Sequence, residues 1–159
     1  MTKVVVSDTT PLQYLHQSRM LDLLPKLFER MVVPPAVIEE LAEGRARGHD
    51  LPLLEGMAWV EITAPHQALV LPSKLGRGEQ QAISVAVEQH LSVLMDDYDA
   101  RTCAVSLGLH VLGTFGILLR AKRQGFIPAV MPTVDIIVGC GFRISERMRK
   151  QLQELTGEA

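Results

Sequence analysis

Acidic residues stand at four separated places in this chain where an oxygen-rich metal site could be built. Asp8 ends the apolar run Val4-Val5-Val6, and Glu40 lies in the helical stretch Val37-Ile38-Glu39-Glu40-Leu41. Glu79 opens the stretch Gly78-Glu79-Gln80-Gln81-Ala82-Ile83, and Asp96 with Asp97 closes the apolar run Ser92-Val93-Leu94-Met95. Hard divalent cations such as Mg2+ and Mn2+ take carboxylate and water oxygens. Brought together, these groups would make a metal-dependent hydrolase, with phosphodiesters as the natural substrate class. Each acid also has a plainer reading. Asp8 and Asp97 could cap helices, Glu40 could be solvated surface of an acidic helix, and Glu79 could be a first-turn glutamate favoured by the helix dipole. Clustered carboxylates repel one another unless a cation joins them, so the joint pattern carries more than its members.

Other chemistries find less support. The five histidines are scattered, and no Ser-His-Asp motif surrounds them. Cys103 and Cys140 are isolated, without the spacing of a zinc site. A receiver-like phosphoacceptor wants an acid pair after its first strand and a lone Asp later, the reverse of the order here. A phosphatase of the haloacid-dehalogenase type wants a second acid two residues after the first, where Asp8-Thr9-Thr10 has a threonine.

The elements that must position the acids follow from hydrophobic period and punctuation. Lys3 to Ser7 reads as a buried strand, and Asp8-Thr9-Thr10-Pro11 as a helix start. Leu12, Leu15, Met20, Leu23, Leu24 and Leu27 give helical spacing, with Pro25 breaking or restarting the helix. Met31-Val32-Val33 is a second strand. Pro34-Pro35 starts a helix to about Arg45, and residues 44–52 form a loop carrying Arg45, Arg47 and His49. Strands at Trp59–Thr63, Ser92–Met95 and His110–Leu112 alternate with helices at Gly78–His90, Tyr98–Gly108 and Thr114–Gln124. Helices at about 131–140 and 144–155 end the chain. Such alternation implies a parallel sheet covered on both faces. Ligands of such sheets gather at the carboxyl ends of the strands, where Asp8 and Asp96/Asp97 stand.

Bulk properties fit one domain of 159 residues, 47% hydrophobic and 21% charged. Aromatics at 4% are too few for a row of base-stacking platforms. The net charge of −2 hides an asymmetry: residues 1–100 carry eight Lys and Arg against fourteen Asp and Glu, and residues 101–150 carry eight against two. An acidic pocket with a basic rim suits a phosphodiester; the same charges would also solvate helix faces. The uncharged stretch 102–119 approaches a membrane span in length, but its glycines and polar residues read as α/β core. With two unpaired cysteines and no signal-like opening, a cytoplasmic location is expected.

Taken in order, these segments resemble the PIN-domain nucleases, and within them a small stand-alone prokaryotic branch, the VapC-like toxin ribonucleases. The resemblance rests on Val-Val-Ser-Asp8-Thr-Thr-Pro-Leu, Val33-Pro34-Pro35-Ala-Val-Ile-Glu39-Glu40-Leu41, Gly78-Glu79-Gln-Gln-Ala-Ile83 and Leu94-Met95-Asp96-Asp97-Tyr98-Asp99-Ala100-Arg101. It continues through Gly108-Leu-His-Val-Leu-Gly113-Thr114 and Ala121-Lys122-Arg123-Gln124-Gly125, so that it spans almost the whole chain. It implies a single domain over 1–159, a three-layer α/β/α sandwich on a mostly parallel sheet, with C-terminal helices at about 131–156. It further implies an Mg2+- or Mn2+-dependent ribonuclease, with Asp8, Glu40, Glu79 and Asp97 as catalytic acids. Asp8, Glu79 and Asp97 would hold metal, with Asp96 and Asp99 as further candidate ligands. Thr10 matches a small hydroxyl residue near the metal. Arg101 could touch phosphate or pair with Asp97. The family also implies a small antitoxin partner, and the leucine-rich helices near 12–28 could support a homodimer. The alternative is a regulatory module that binds RNA or protein without cutting.

Overall fold

The computed structural model describes residues 3–67 and 69–159. Five parallel strands form one sheet in the order β3-β2-β1-β4-β5: β1 (Val4–Ser7), β2 (Arg30–Val33), β3 (Val60–Ile62), β4 (Ser92–Leu94) and β5 (Val111–Leu112). From β1 the chain steps outward to β2 and β3, then crosses back to lay β4 against the other side of β1. The order therefore reverses between β1 and β4, the point at which sheets of this kind place their ligand crevice, at the carboxyl ends of the strands. The amide of Asp8 donates to the carbonyl of Leu94 at 3.0 Å, fastening the two strand ends side by side.

Side chains alternate strictly across the sheet. Val5, Met31, Val33 and Leu94 face one core layer, whose helices are α1 (Thr9–Gln17), α2 (Leu23–Leu27), α3 (Pro35–Ala46), α6 (Thr114–Arg123) and α7 (Met131–Gly139). Val6, Val32, Val93 and Met95 face the other, against α4 (Arg77–Gln89) and α5 (Tyr98–Ser106). This is the three-layer α/β/α sandwich with a parallel sheet that the alternation of elements implied. A final helix, α8 (Glu146–Thr156), adds Leu152 to the first layer.

Two local details, the turn at Arg19 and the end of α3, differ from the sequence reading. The leucine-rich stretch divides before Pro25, at Arg19, whose φ of 62° turns the chain. Pro25 then sits in the first turn of α2, where its missing N–H leaves no gap in the ladder. Helix α3 runs through Gly44 and Arg45, so the loop begins at Arg47. A Cβ on Gly44 would lie 2.2 Å from Leu51 Cδ1, which is why a glycine is tolerated late in that helix. The uncharged stretch 102–119 is shared among α5, β5 and α6, and no described helix is long and apolar enough to cross a membrane.

The C-terminus is tied down by a carboxylate rather than by apolar burial. Glu158 accepts hydrogen bonds from the amides of Val130 and Met131, at 2.9 Å each, and from Lys122 Nζ at 2.9 Å. An acid 28 residues distant thus caps the N-terminus of α7.

Candidate metal centre

Asp8 is 3% exposed and ends β1 at the reversal point. It occupies the N-cap position of α1 with extended backbone, yet its side chain makes no capping bond to the helix. Burial pushes its carboxyl up to about 7; the Thr9 amide opposes the shift, and Glu79, Glu40 and Asp96 each add repulsion. A half-buried Glu79 is also raised, first by burial and then by Asp97, Glu40 and Asp99, against the pull of the Gly76 amide. Six carboxylates, from the starts of α1, α4 and α5 and from the middle of α3, therefore share one field, with Asp8 and Glu79 at its centre.

Glu40 is not solvated helix surface. One carboxylate oxygen accepts the Gly78 amide at 3.0 Å, and the other accepts the Thr9 hydroxyl. The side chain thereby joins the first turns of α1 and α4 to α3. A Cβ on Gly78 would stand 2.8 Å from both Glu40 oxygens, so the glycine is what admits them. Glu39, its neighbour, points outward to an exposed pair with Arg77 at 2.9 Å. Gln81 reinforces the same junction, its Oε1 accepting the Ala36 amide at 2.9 Å. Glu79 reaches back to the Gly76 amide at 2.9 Å, as its first-turn position suggests.

After β4 the two aspartates diverge. Asp96 turns inward, accepting the Thr114 amide at 2.7 Å on one oxygen and the Thr114 hydroxyl at 2.6 Å on the other. Burial raises its pKa, against those two bonds and the nearby charge of Arg101. Asp97 is exposed and caps α5, accepting the Ala100 amide at 3.0 Å. The expected ion pair between Arg101 and Asp97 does not form. Asp97 is turned to its helix, while Arg101 Nη1 donates to the Met95 carbonyl at 3.1 Å. A Cβ on Gly113 would meet Arg101 Nη1 at 2.6 Å and Asp96 Oδ1 at 3.0 Å, so the guanidinium lies on the Asp96 side.

Asp99 is exposed and pairs with Lys74 at 3.2 Å. Thr10 is half-buried and makes no side-chain hydrogen bond among the described residues; its neighbour Thr9 makes the bond to Glu40. Thr9 and Thr114 are the contacts that the sequence left without a role. Their signal was position alone, each as the first residue of a helix that follows a strand. The leucines at 12, 15, 23 and 24 are buried in the core, which removes them as a dimer face. Of the basic residues after position 100, Lys122 is taken by Glu158 and Arg149 by Asp135. Arg143, Arg147 and Lys150 remain exposed without ion pairs among the described residues. Phe142 packs against Tyr14 at 4.9 Å and Phe115 at 4.8 Å between ring centroids, which lays the segment carrying Arg143 over α1 and α6.

The donor set suits a hard cation. Every candidate ligand is a carboxylate or hydroxyl oxygen, and the buried Asp8 is surrounded by like charge that a cation would offset. Among the described residues no three Asp, Glu, His or Cys side chains are gathered closely enough to hold an ion by themselves. Mg2+ usually keeps several waters and takes one or two carboxylates, so that spacing fits a partly hydrated ion better than a closed protein cage.

Comparison with known proteins gives the same fold. A PilT N-terminus domain protein from the hyperthermophilic archaeon Sulfolobus solfataricus superposes with a TM-score of 0.56 at 18% identity, covering 74% of this chain and 92% of that one. No curated protein matches. The family model described as PIN domain matches residues 4–158. That match takes in every strand of the sheet and every acid of the crevice, and the chain belongs to the PIN-domain family, whose members are generally metal-dependent nucleases.

Proposed function

We propose that the chain is an Mg2+- or Mn2+-dependent endoribonuclease and the toxin of a toxin–antitoxin pair. The observation that carries this reading is Asp8, a buried carboxylate at the strand-order reversal within the repulsive field of Glu40, Glu79 and Asp96. Asp8 and Glu79 would hold the ion, with Asp96 or Asp97 completing the set directly or through water, and Asp99 at the margin. When bound, such an ion supplies an acidified water and a counter-charge for the phosphorus under attack. Glu40, fixed by Thr9 and Gly78, would orient the attacking water. Thr10, Arg101 and the unpaired Arg143, Arg147 and Lys150 would meet the RNA backbone.

An antitoxin would act by covering this crevice. A homodimer would use another face than the buried leucines; Tyr98 and Val105, exposed and two turns apart on α5, would supply one. The carboxylates committed to backbone amides favour a second reading, a module that binds RNA or protein without cutting. Purified protein, free of any co-purified inhibitor, would be incubated with a mixed RNA pool in Mg2+, Mn2+ or EDTA, beside Asp8→Asn. Cleavage that needs both metal and Asp8 supports the nuclease. RNA binding without cleavage by folded protein supports the module.

A further inference from the structure

A cavity of about 670 Å3 lies away from the acidic crevice, between α6 and the sheet. Val5, Leu94 and Leu112 line it from three adjacent strands, Phe28 adds an aromatic wall, and Arg120 and His110 supply the ionisable groups. Leu94 and Leu112 stand two residues before Asp96 and Thr114, so the cavity sits further toward the strand starts than the acids. Its volume falls in the range of small-molecule sites, roughly 300–1,000 Å3.

The lining is the electrostatic opposite of the crevice, because it contains basic groups and no carboxylate. Arg120 Cζ lies 5.6 Å from the centroid of the Phe28 ring, close enough for a cation–π contact. Among the described residues Arg120 forms no ion pair, whereas Lys122 on the same helix is satisfied by Glu158. Burial, with Arg123 nearby, lowers the Arg120 pKa. A planar guanidinium held against a ring above an aliphatic floor lacks only an anion.

We propose that this cavity binds a small organic carboxylate with an apolar body, its head paired with Arg120 and its body against Phe28, Val5, Leu94 and Leu112. The charge of the lining selects the head, and the strand side chains select the body. The crevice would repel the same molecule, so the two sites take ligands of opposite character.

Isothermal titration of the full chain in EDTA with decanoate, decanol and decylamine, all below micelle formation, tests this. Decanoate should bind saturably at one per chain and at least tenfold more tightly than decylamine. Arg120→Gln, shown by thermal melting to be folded, should weaken decanoate at least tenfold and leave decanol unchanged. Asp8→Asn should bind decanoate as the parent does, which separates this site from the nuclease reading. The proposal is overturned by absent saturable binding, by equal affinity for decanoate and decylamine, or by unchanged decanoate affinity in Arg120→Gln. Loss of binding in Asp8→Asn would also overturn it. Should Arg120→Gln fail to fold, the head-group series on the parent protein decides alone.

Discussion

Glu40 and Gly78 meet across 38 residues, the carboxylate of one accepting the amide of the other at 3.0 Å. The Thr9 hydroxyl holds the remaining oxygen, so the starts of α1 and α4 converge on one side chain from the middle of α3. Gly78→Ala would place a methyl 2.8 Å from both oxygens. Glu40 ends a flexible side chain and can shift off the Gly78 amide, at a cost of about 1.5–3 kcal/mol for that one bond to a charged group. Alanine returns up to about 1 kcal/mol in helix propensity. Stability should therefore fall little, a few degrees in Tm, while any cleavage that depends on Glu40 should drop tenfold or more. Thermal melting and RNA cleavage on the same preparation read the two effects; a large Tm loss with matching activity loss would make Gly78 a packing residue only.

Thr114→Val tests the hold on Asp96. The substitution keeps the volume of a fully buried residue and removes the hydroxyl that donates at 2.6 Å, while the amide at 2.7 Å remains. Losing a hydrogen bond to a charged group costs about 1.5–3 kcal/mol. Urea unfolding should show that loss, and Thr114→Ser should restore most of it. A valine variant as stable as the parent would mean that the hydroxyl contributes nothing net to Asp96.

The sheet was legible in the sequence because four strands carry a short apolar run ended by a charge or a turn, and β3 alternates as Val60-Glu61-Ile62. The burial alternation of Val5 against Val6, and of Val93 against Leu94, follows from the pleat. The acids were legible as positions, since Asp8 and Asp96 fall at strand ends. Their partners were not. Arg101 and Asp97, one helical turn apart, have the spacing of an ion pair, but Asp97 prefers its helix amide and Arg101 the Met95 carbonyl. Glu40 resembled surface because its partners, Thr9 and Gly78, lie on other elements. Pro25 marked a helix boundary correctly in kind, but the turn is made at Arg19, where a positive φ leaves no compositional trace.

Asp8→Asn separates stability from function. Asp8 gives up its proton more reluctantly in the fold, at about 7, than in the unfolded chain at about 3.9. Its ionisation therefore opposes folding progressively as pH rises from about 4 through about 7. Without divalent cation, Asp8→Asn should melt above the parent at pH 8 and close to it at pH 4. Mg2+ should raise the Tm of the parent and leave the variant nearly unmoved. A variant less stable than the parent at pH 8 would show that Asp8 is held by hydrogen bonds rather than strained by burial and like charge.

Glu158 has the opposite sign. Its bonds from Lys122, then Val130 and Met131, outweigh desolvation and hold the carboxyl at about 2. Because the folded value lies below the unfolded value of about 4.3, the contribution is complete above that pH. It is lost as pH falls toward 2. Glu158→Gln should be less stable than the parent at pH 7, since a neutral amide pairs weakly with Lys122 and with the start of α7. The gap should narrow as pH drops below about 4.5, with urea midpoints measured from pH 7 to pH 3 as the readout. A gap that stays constant across that window would assign the tether to packing of the last helix, and a gap absent at pH 7 would mean that the C-terminus contributes nothing to holding α7.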